Sequence, residues 1–242
     1  MPSIDQYATN EAYLRLLLMG PPGGGKTTLA AQFPGAWIYD LDRGLAGPLR
    51  FLREHGRTLP LGYDVLDKDE NGKPVEVKFQ YERLCKLLKT IPAGTQTIVF
   101  DGATKLNEII LQHVMRIQGV SQMSIQHWGF FLGTWNTFIA TITAAPVNSV
   151  LICHEEVEKD EMDQSLKYFP MIQGKMRNII GSLFTDVWRC EVQVTSGLNP
   201  TYKWLVRTMP DTRFVLKNSL GLPPTFEFKW ETIAAKLNPP AK

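Results

Sequence analysis

Leu14-Arg15-Leu16-Leu17-Leu18-Met19 runs directly into Gly20-Pro21-Pro22-Gly23-Gly24-Gly25-Lys26-Thr27-Thr28. The apolar run has the length and character of a strand buried on both faces of a parallel sheet. Residues Lys26 to Phe33 then read as a helix, stopped by Pro34-Gly35. Between the two, Gly20 to Thr27 satisfies G-x-x-x-x-G-K-[ST] in full. Such a turn lets successive main-chain N–H groups face an anion, and the helix behind it adds the positive end of its dipole. The stretch therefore predicts a cradle for Mg-ATP. Gly20, Pro21, Pro22, Gly23, Gly24, Gly25 and Thr28 wrap the phosphates, Lys26 reaches the β- and γ-phosphates, and the Thr27 hydroxyl holds Mg2+.

Working outward, Ala36–Asp40, Thr97–Asp101 and Val150–His154 repeat the pattern of short buried strands. Helical spacing separates them over residues 44–55, 81–91, 105–117 and 128–145, and again over 176–184. The order predicts an α/β fold in three layers, with a mostly parallel central sheet and helices on both faces. Residues 187–194 and 202–207 alternate around Ser196-Gly197-Leu198-Asn199-Pro200, which predicts an antiparallel C-terminal β-hairpin extension. Phe214–Lys217 is a further candidate strand. Alternation around Asn71-Gly72 predicts a hairpin insertion over 58–80. The expected organisation is an N-terminal extension (1–13), one ATPase domain (14–228) and a poorly ordered tail (229–242) marked by proline pairs.

The 242 residues, 44% hydrophobic, suffice for one well-packed core. No apolar run is long enough for a membrane span, and the start lacks the basic region of a signal peptide, so a cytoplasmic protein is expected. Cys85, Cys153 and Cys190 are widely spaced and odd in number, which argues against a disulfide framework or a zinc site. A net charge of +2 neither requires nor excludes nucleic acid.

Asp101 ends the third strand, at the carboxyl edge where ligands of α/β sheets bind. It is the expected Mg2+-holding acid, or else a helix N-cap. Gly102 follows it, so no glutamate stands there to activate water. Asp42, in Tyr39-Asp40-Leu41-Asp42, is the next acid placed to polarise water, with Asp40 in support. His154 closes the fourth strand and is placed either to report the γ-phosphate or to satisfy a backbone carbonyl.

Together these residues resemble the RecA-like P-loop ATPases, and within them a compact phage-encoded branch of ATP-binding single-strand annealing and recombination proteins. Gly20–Thr28 resembles the family's Walker A. Tyr39–Asp42 resembles its strand bearing the water-activating acid, with Asp42 in place of the usual glutamate. Cys153-His154-Glu155 resembles the strand end that senses the γ-phosphate. Arg213–Pro224 resembles a Lys-Asn segment that reaches a neighbour's ATP, which makes Lys217 a trans-acting cation; Ser219 stands where RecA carries a second lysine.

The resemblance implies single-stranded DNA as partner, self-association into a ring or filament, a single-strand-binding protein as a further partner, and a bacterial host cell. The DNA-facing loop would run from about Glu155 to Lys175. Lys159, Lys167, Tyr168, Lys175 and Arg177 would grip phosphates and bases there. Six acids between Glu155 and Asp163 oppose that reading. A P-loop kinase or other phosphotransferase, or a non-hydrolysing nucleotide-binding scaffold, would use the same cradle. The acidic segment after the fourth strand carries no arginine before Arg177, unlike the arginine-rich lid of such kinases.

Overall fold

A computed structural model describes residues 13–161, 164–195, 201–227 and 229–237. The chain order is β1 (Arg15–Gly20), α1 (Lys26–Ala30), β2 (Ala36–Asp40), α2 (Ala46–Glu54), β3 (Gly62–Val65), α3 (Val77–Leu88), β4 (Thr97–Asp101), α4 (Ala103–Gln118) and α5 (Ile125–Ala144). There follow β5 (Asn148–Lys159), β6 (Leu166–Pro170), α6 (Met176–Ile179) with a 3-10 turn (Ile180–Leu183), β7 (Asp186–Val194), β8 (Tyr202–Arg207), β9 (Thr225–Glu227) and α7 (Trp230–Leu237).

The sheet runs β3-β2-β4-β5-β1-β7-β8-β9, and β6 pairs with the far half of β5. From β3 to β7 every pairing is parallel; β8 and β9 then join antiparallel. The apolar run of β1 is explained by its central place. Leu16 and Leu18 face one core with Leu29 of α1, Leu52 of α2 and Ile233 of α7. Leu17 and Met19 face the other, with Leu84 of α3, Leu106 and Ile110 of α4, and Trp135 and Phe138 of α5. This is the expected three-layer α/β fold with an antiparallel C-terminal extension. Among the described residues no helix is long and apolar enough to cross a membrane.

Several expectations are corrected. Residues 58–80 do not form a separate hairpin. Gly62–Val65 instead lies parallel beside β2 as the sheet edge. The ring of Trp37 occupies the place a side chain at Gly62 would need, and its indole N–H donates to Asp64 at 2.8 Å. Around Asn71-Gly72 a short antiparallel turn does close, with Lys68 bridged to Pro74 and the Asp69 and Val75 amides donating to the Lys73 and Asp67 carbonyls at 2.9 and 2.8 Å. The polar segment after His154 is the continuation of β5, paired antiparallel with β6. The helix expected over 176–184 is one short turn followed by a 3-10 turn. Phe214 and Lys217 make isolated bridges, to Tyr168 and Val187, in place of a strand.

The tail expected to be poorly ordered carries α7, directly after β9. Ile233 is fully buried, and Trp230 packs against Phe33 with ring centroids 4.9 Å apart. The compact unit therefore continues past residue 228. The hairpin turn Ser196–Pro200, most of the N-terminal extension and the last residues lie outside the described residues.

Candidate functional site

Four strands deliver the site to one edge. Gly20 at the end of β1 is in register with His154 on β5, Ile152 of β5 with Asp101 of β4, and Asp101 with Asp40 of β2. The predicted residues Lys26, Thr27, Asp42, Asp101 and His154 all line a single cavity of about 680 Å3. That volume lies in the range of small-ligand sites.

Gly25 opens α1 at φ 86°, left-handed backbone that a side chain would strain, and a Cβ there would meet the Trp204 ring at 3.0 Å. The main chain of β7 at Cys190 presses against Gly20 and Gly24, so the cradle is tight on that side. Lys26 is only 6% exposed. Its ammonium donates to the carbonyls of Gly20 (2.9 Å) and Pro21 (2.8 Å). Burial lowers its pKa, opposed by the acidic groups around it. The cation is thus held at the mouth of its own loop.

Asp101 is 4% exposed. It is an acid at the cradle, with the helix N-cap of α4 provided by Gly102, so the metal-holding alternative fits its position. One carboxylate oxygen, Oδ2, has no hydrogen-bond partner. Burial pushes its pKa up to about 7; the Thr27 hydroxyl hydrogen bond opposes this, Asp42 and Asp40 reinforce it, and Lys26 opposes it. Asp40 is likewise raised by burial, against hydrogen bonds from the Leu45 and Gly44 amides. Asp42 is exposed to the cavity and wedged between two glycines. A Cβ on Gly44 would meet its Oδ1 at 3.2 Å, and one on Gly102 its Cγ and Oδ2 at 3.2 Å. The absence of a side chain at Gly102 is thus what makes room for the acid arriving from β2.

His154 is half-buried, and its Nδ1 is enclosed without a partner. Burial and then Lys26 lower its pKa, against Asp42, so the imidazole is held neutral. The backbone-satisfied alternative is not what the ring does here.

Two predicted groups stand away from the cavity. Lys217 pairs through its backbone with Val187, which is in register with Leu17 back along β1, and its amine donates to the Phe184 carbonyl. The β5–β6 residues form an ion-paired hairpin. Lys167 meets Asp160 at 2.5 Å, and Arg177 meets Glu156 at 2.8 Å and Glu158 at 2.6 Å while lying over the Phe169 ring. Tyr168 packs against Phe214 in a tilted pair, ring centroids 4.5 Å apart, under Arg189. The acid that opens this segment, Glu155, is buried against Arg189 at 2.7 Å. Lys159 and Lys175 are exposed.

Sequence reading missed the far wall of the cavity. Phe51 of α2 and His55, which caps its C-terminal end, stack at 4.1 Å, Trp204 of β8 lies 6.3 Å from Phe51, and Trp230 of α7 closes the side. The i,i+4 spacing of Phe51 and His55 is visible in the sequence. Nothing local announces that Trp204 and Trp230 return to meet them.

Two solved structures are distantly similar to the chain. A KaiC-like protein, PH0186, from the hyperthermophilic archaeon Pyrococcus horikoshii OT3 is 16% identical with a TM-score of 0.44, over 89% of this chain and 90% of that one. The RadB recombinase is 11% identical with a TM-score of 0.42, over 81% of each chain. No curated protein sequence matches the chain. Residues 12–220 match the family model AAA_24, described as an AAA domain, and the chain belongs to that family.

Proposed function

We propose that this protein is an ATPase that binds Mg-ATP in the β1–α1 cradle and uses it to govern a grip on single-stranded DNA in recombination. The observation that carries the reading is the convergence of Lys26, Thr27, Asp101, Asp42 and His154 on one cavity with an aromatic far wall. The donor set suits a divalent metal: an orphaned buried carboxylate oxygen, a hydroxyl and further acids, all oxygen. When bound, Mg2+ supplies charge neutralisation at the phosphate oxygens.

The chain's own residues do the rest. Cradle amides and Lys26 fix the phosphates, and the Thr27 hydroxyl and Asp101 hold the metal. Asp42, seated by Gly102, orients the attacking water, and neutral His154 hydrogen-bonds at the γ-phosphate end. Phe51 and Trp204 offer ring faces to the base. Stacking of this kind is worth roughly 1–3 kcal/mol per base in nucleic-acid sites.

The DNA half of the reading rests on the RecA-like resemblance and on Lys159 and Lys175, exposed beside the β5–β6 hairpin. Pairing of the hairpin's acids with Arg177, Arg189 and Lys167 removes much of the repulsion that the bare sequence suggests. The same resemblance supports assembly into a ring or filament in phage or bacterial recombination. In that assembly Lys217 would exchange the Phe184 carbonyl for a neighbour's phosphates. An ATPase assay with and without single-stranded DNA tests the proposal. Turnover should rise several-fold with DNA. Phosphate transfer to a small acceptor, with no response to DNA, would point to a phosphotransferase instead.

A further inference from the structure

Resting on the Mg-ATP cradle proposed above, we propose that Gln32 reads the nucleotide's base. Its side-chain oxygen accepts a hydrogen bond from the 6-amino group of adenine and so selects against purines that lack that group.

The end of α1 fixes the side chain. The main-chain N–H of Gln32 donates to the Leu29 carbonyl at 3.1 Å, not to that of Thr28. The Thr28 carbonyl is thus one of the acceptors that a helix end leaves over. The Gln32 side-chain amide serves it, its nitrogen donating at 2.8 Å. A carbonyl can only accept, so this contact decides which end of the amide is nitrogen and which is oxygen. The oxygen is left for another partner.

That partner comes from the cavity. Gln32 is only 4% exposed, yet it lines the cavity wall. Among the described residues nothing donates to its oxygen. Capping the helix uses the nitrogen alone. It gives no role to an acceptor held almost out of water, where the lack of a donor is costly.

The position suits a base. Gln32 follows Lys26 by six residues, roughly 9 Å of helical rise. The next residue, Phe33, packs on Trp230 with ring centroids 4.9 Å apart, and Trp230 also lines the cavity. Phosphates held at Lys26 lie at the cradle end, and Gln32 stands beyond them on the side of Trp230. Glu227 is a further acceptor of the wall, but it is exposed on β9, where water serves it.

An acceptor sorts bases by the donors they bring. Adenine brings its 6-amino group. Unsubstituted purine has only a C–H at that position, and guanine and hypoxanthine place a carbonyl oxygen there, which would meet the Gln32 oxygen with like polarity. A site built to bond a donor rejects analogues without one.

The test is calorimetry of the full chain with the Mg2+ complexes of ATP and of purine riboside triphosphate, which differ only in the 6-amino group. Wild type should bind ATP at least about tenfold tighter. Gln32→Met, close in volume but without the oxygen, should bring ATP down to the analogue while leaving the analogue's own affinity within about threefold. Glu227→Gln should keep the discrimination. Melting curves identify a variant that does not fold, and the wild-type comparison holds without it. Binding of neither triphosphate would overturn the cradle itself. Equal binding of both by wild type, discrimination that survives Gln32→Met, or discrimination that vanishes in Glu227→Gln would leave the cradle standing and overturn the role of Gln32.

Discussion

Gly102 follows the acid at the end of β4, and its missing side chain decides where Asp42 sits. At φ 114° the backbone is unfavourable for any residue with a Cβ, and that Cβ would lie 3.2 Å from the Asp42 carboxylate and 3.3 Å from the Leu41 side chain. Gly102→Ala should therefore push Asp42 out of line. A displacement of about 1 Å in a positioning group can cost about a hundredfold in rate. Steady-state kinetics should show kcat for ATP falling by at least about tenfold, with the nucleotide Kd much less affected.

Asp101 makes a prediction in pH. Its ordinary pKa of 3.8 is pushed to about 7 in the folded chain, chiefly by burial. The folded state thus holds this proton more tightly than the unfolded state. Its contribution to stability is complete below about pH 4 and is lost as pH rises through 7, an effect of up to about 4 kcal/mol. Asp101→Asn cannot ionise. In chelator and without nucleotide it should melt well above the wild type at pH 8 and close to it at pH 4. Equal melting temperatures at both pH values would contradict the burial argument. The sequence showed Asp101 as an acid at a strand end, but the burial that raises its pKa, and the smaller contribution of Asp42 and Asp40 beside it, appear only once β2 and β4 are seen in register.

At the scale of elements, the β5–β6 hairpin is the clearest case of structure that the sequence concealed. Its acids read as a solvated loop because their cations lie elsewhere in the chain, Arg177 on α6 and Arg189 on β7. Glu155 and Arg189 form a buried pair, with side chains 5% and 8% exposed. Arg189→Ala would strand the Glu155 carboxylate and cost roughly 3–5 kcal/mol, whereas adding Glu155→Gln should restore part of the loss. Thermal or urea unfolding of the single and double variants measures this. A double variant no better than the single would mean that the pair is not what holds the hairpin. By contrast β1, β2 and β4 were legible to within a residue, because burial on both faces demands an unbroken apolar run between turn residues. β9 and α7 were hidden by the prolines around them, since only docking of Ile233 and Trp230 on the α1 side orders that segment.

For the whole molecule, a parallel sheet brings residues from β1, β2, β4 and β5 to one edge, and the C-terminal extension folds back to complete the cavity with Trp204 and Trp230. The phosphate half of the site was readable because a contiguous motif encodes it. The aromatic half was not, because it is assembled from α2, β8 and α7. The central claim is that this edge binds Mg-ATP through the cradle. Isothermal calorimetry of Mg-ATP into the full chain tests it most directly. One site per chain is expected in the wild type. Lys26→Ala, which removes charge-assisted hydrogen bonds of roughly 1.5–3 kcal/mol, should weaken binding by at least about tenfold while leaving the melting curve intact. Absence of binding heat in the wild type at several temperatures, or equal affinity in Lys26→Ala, would contradict the account.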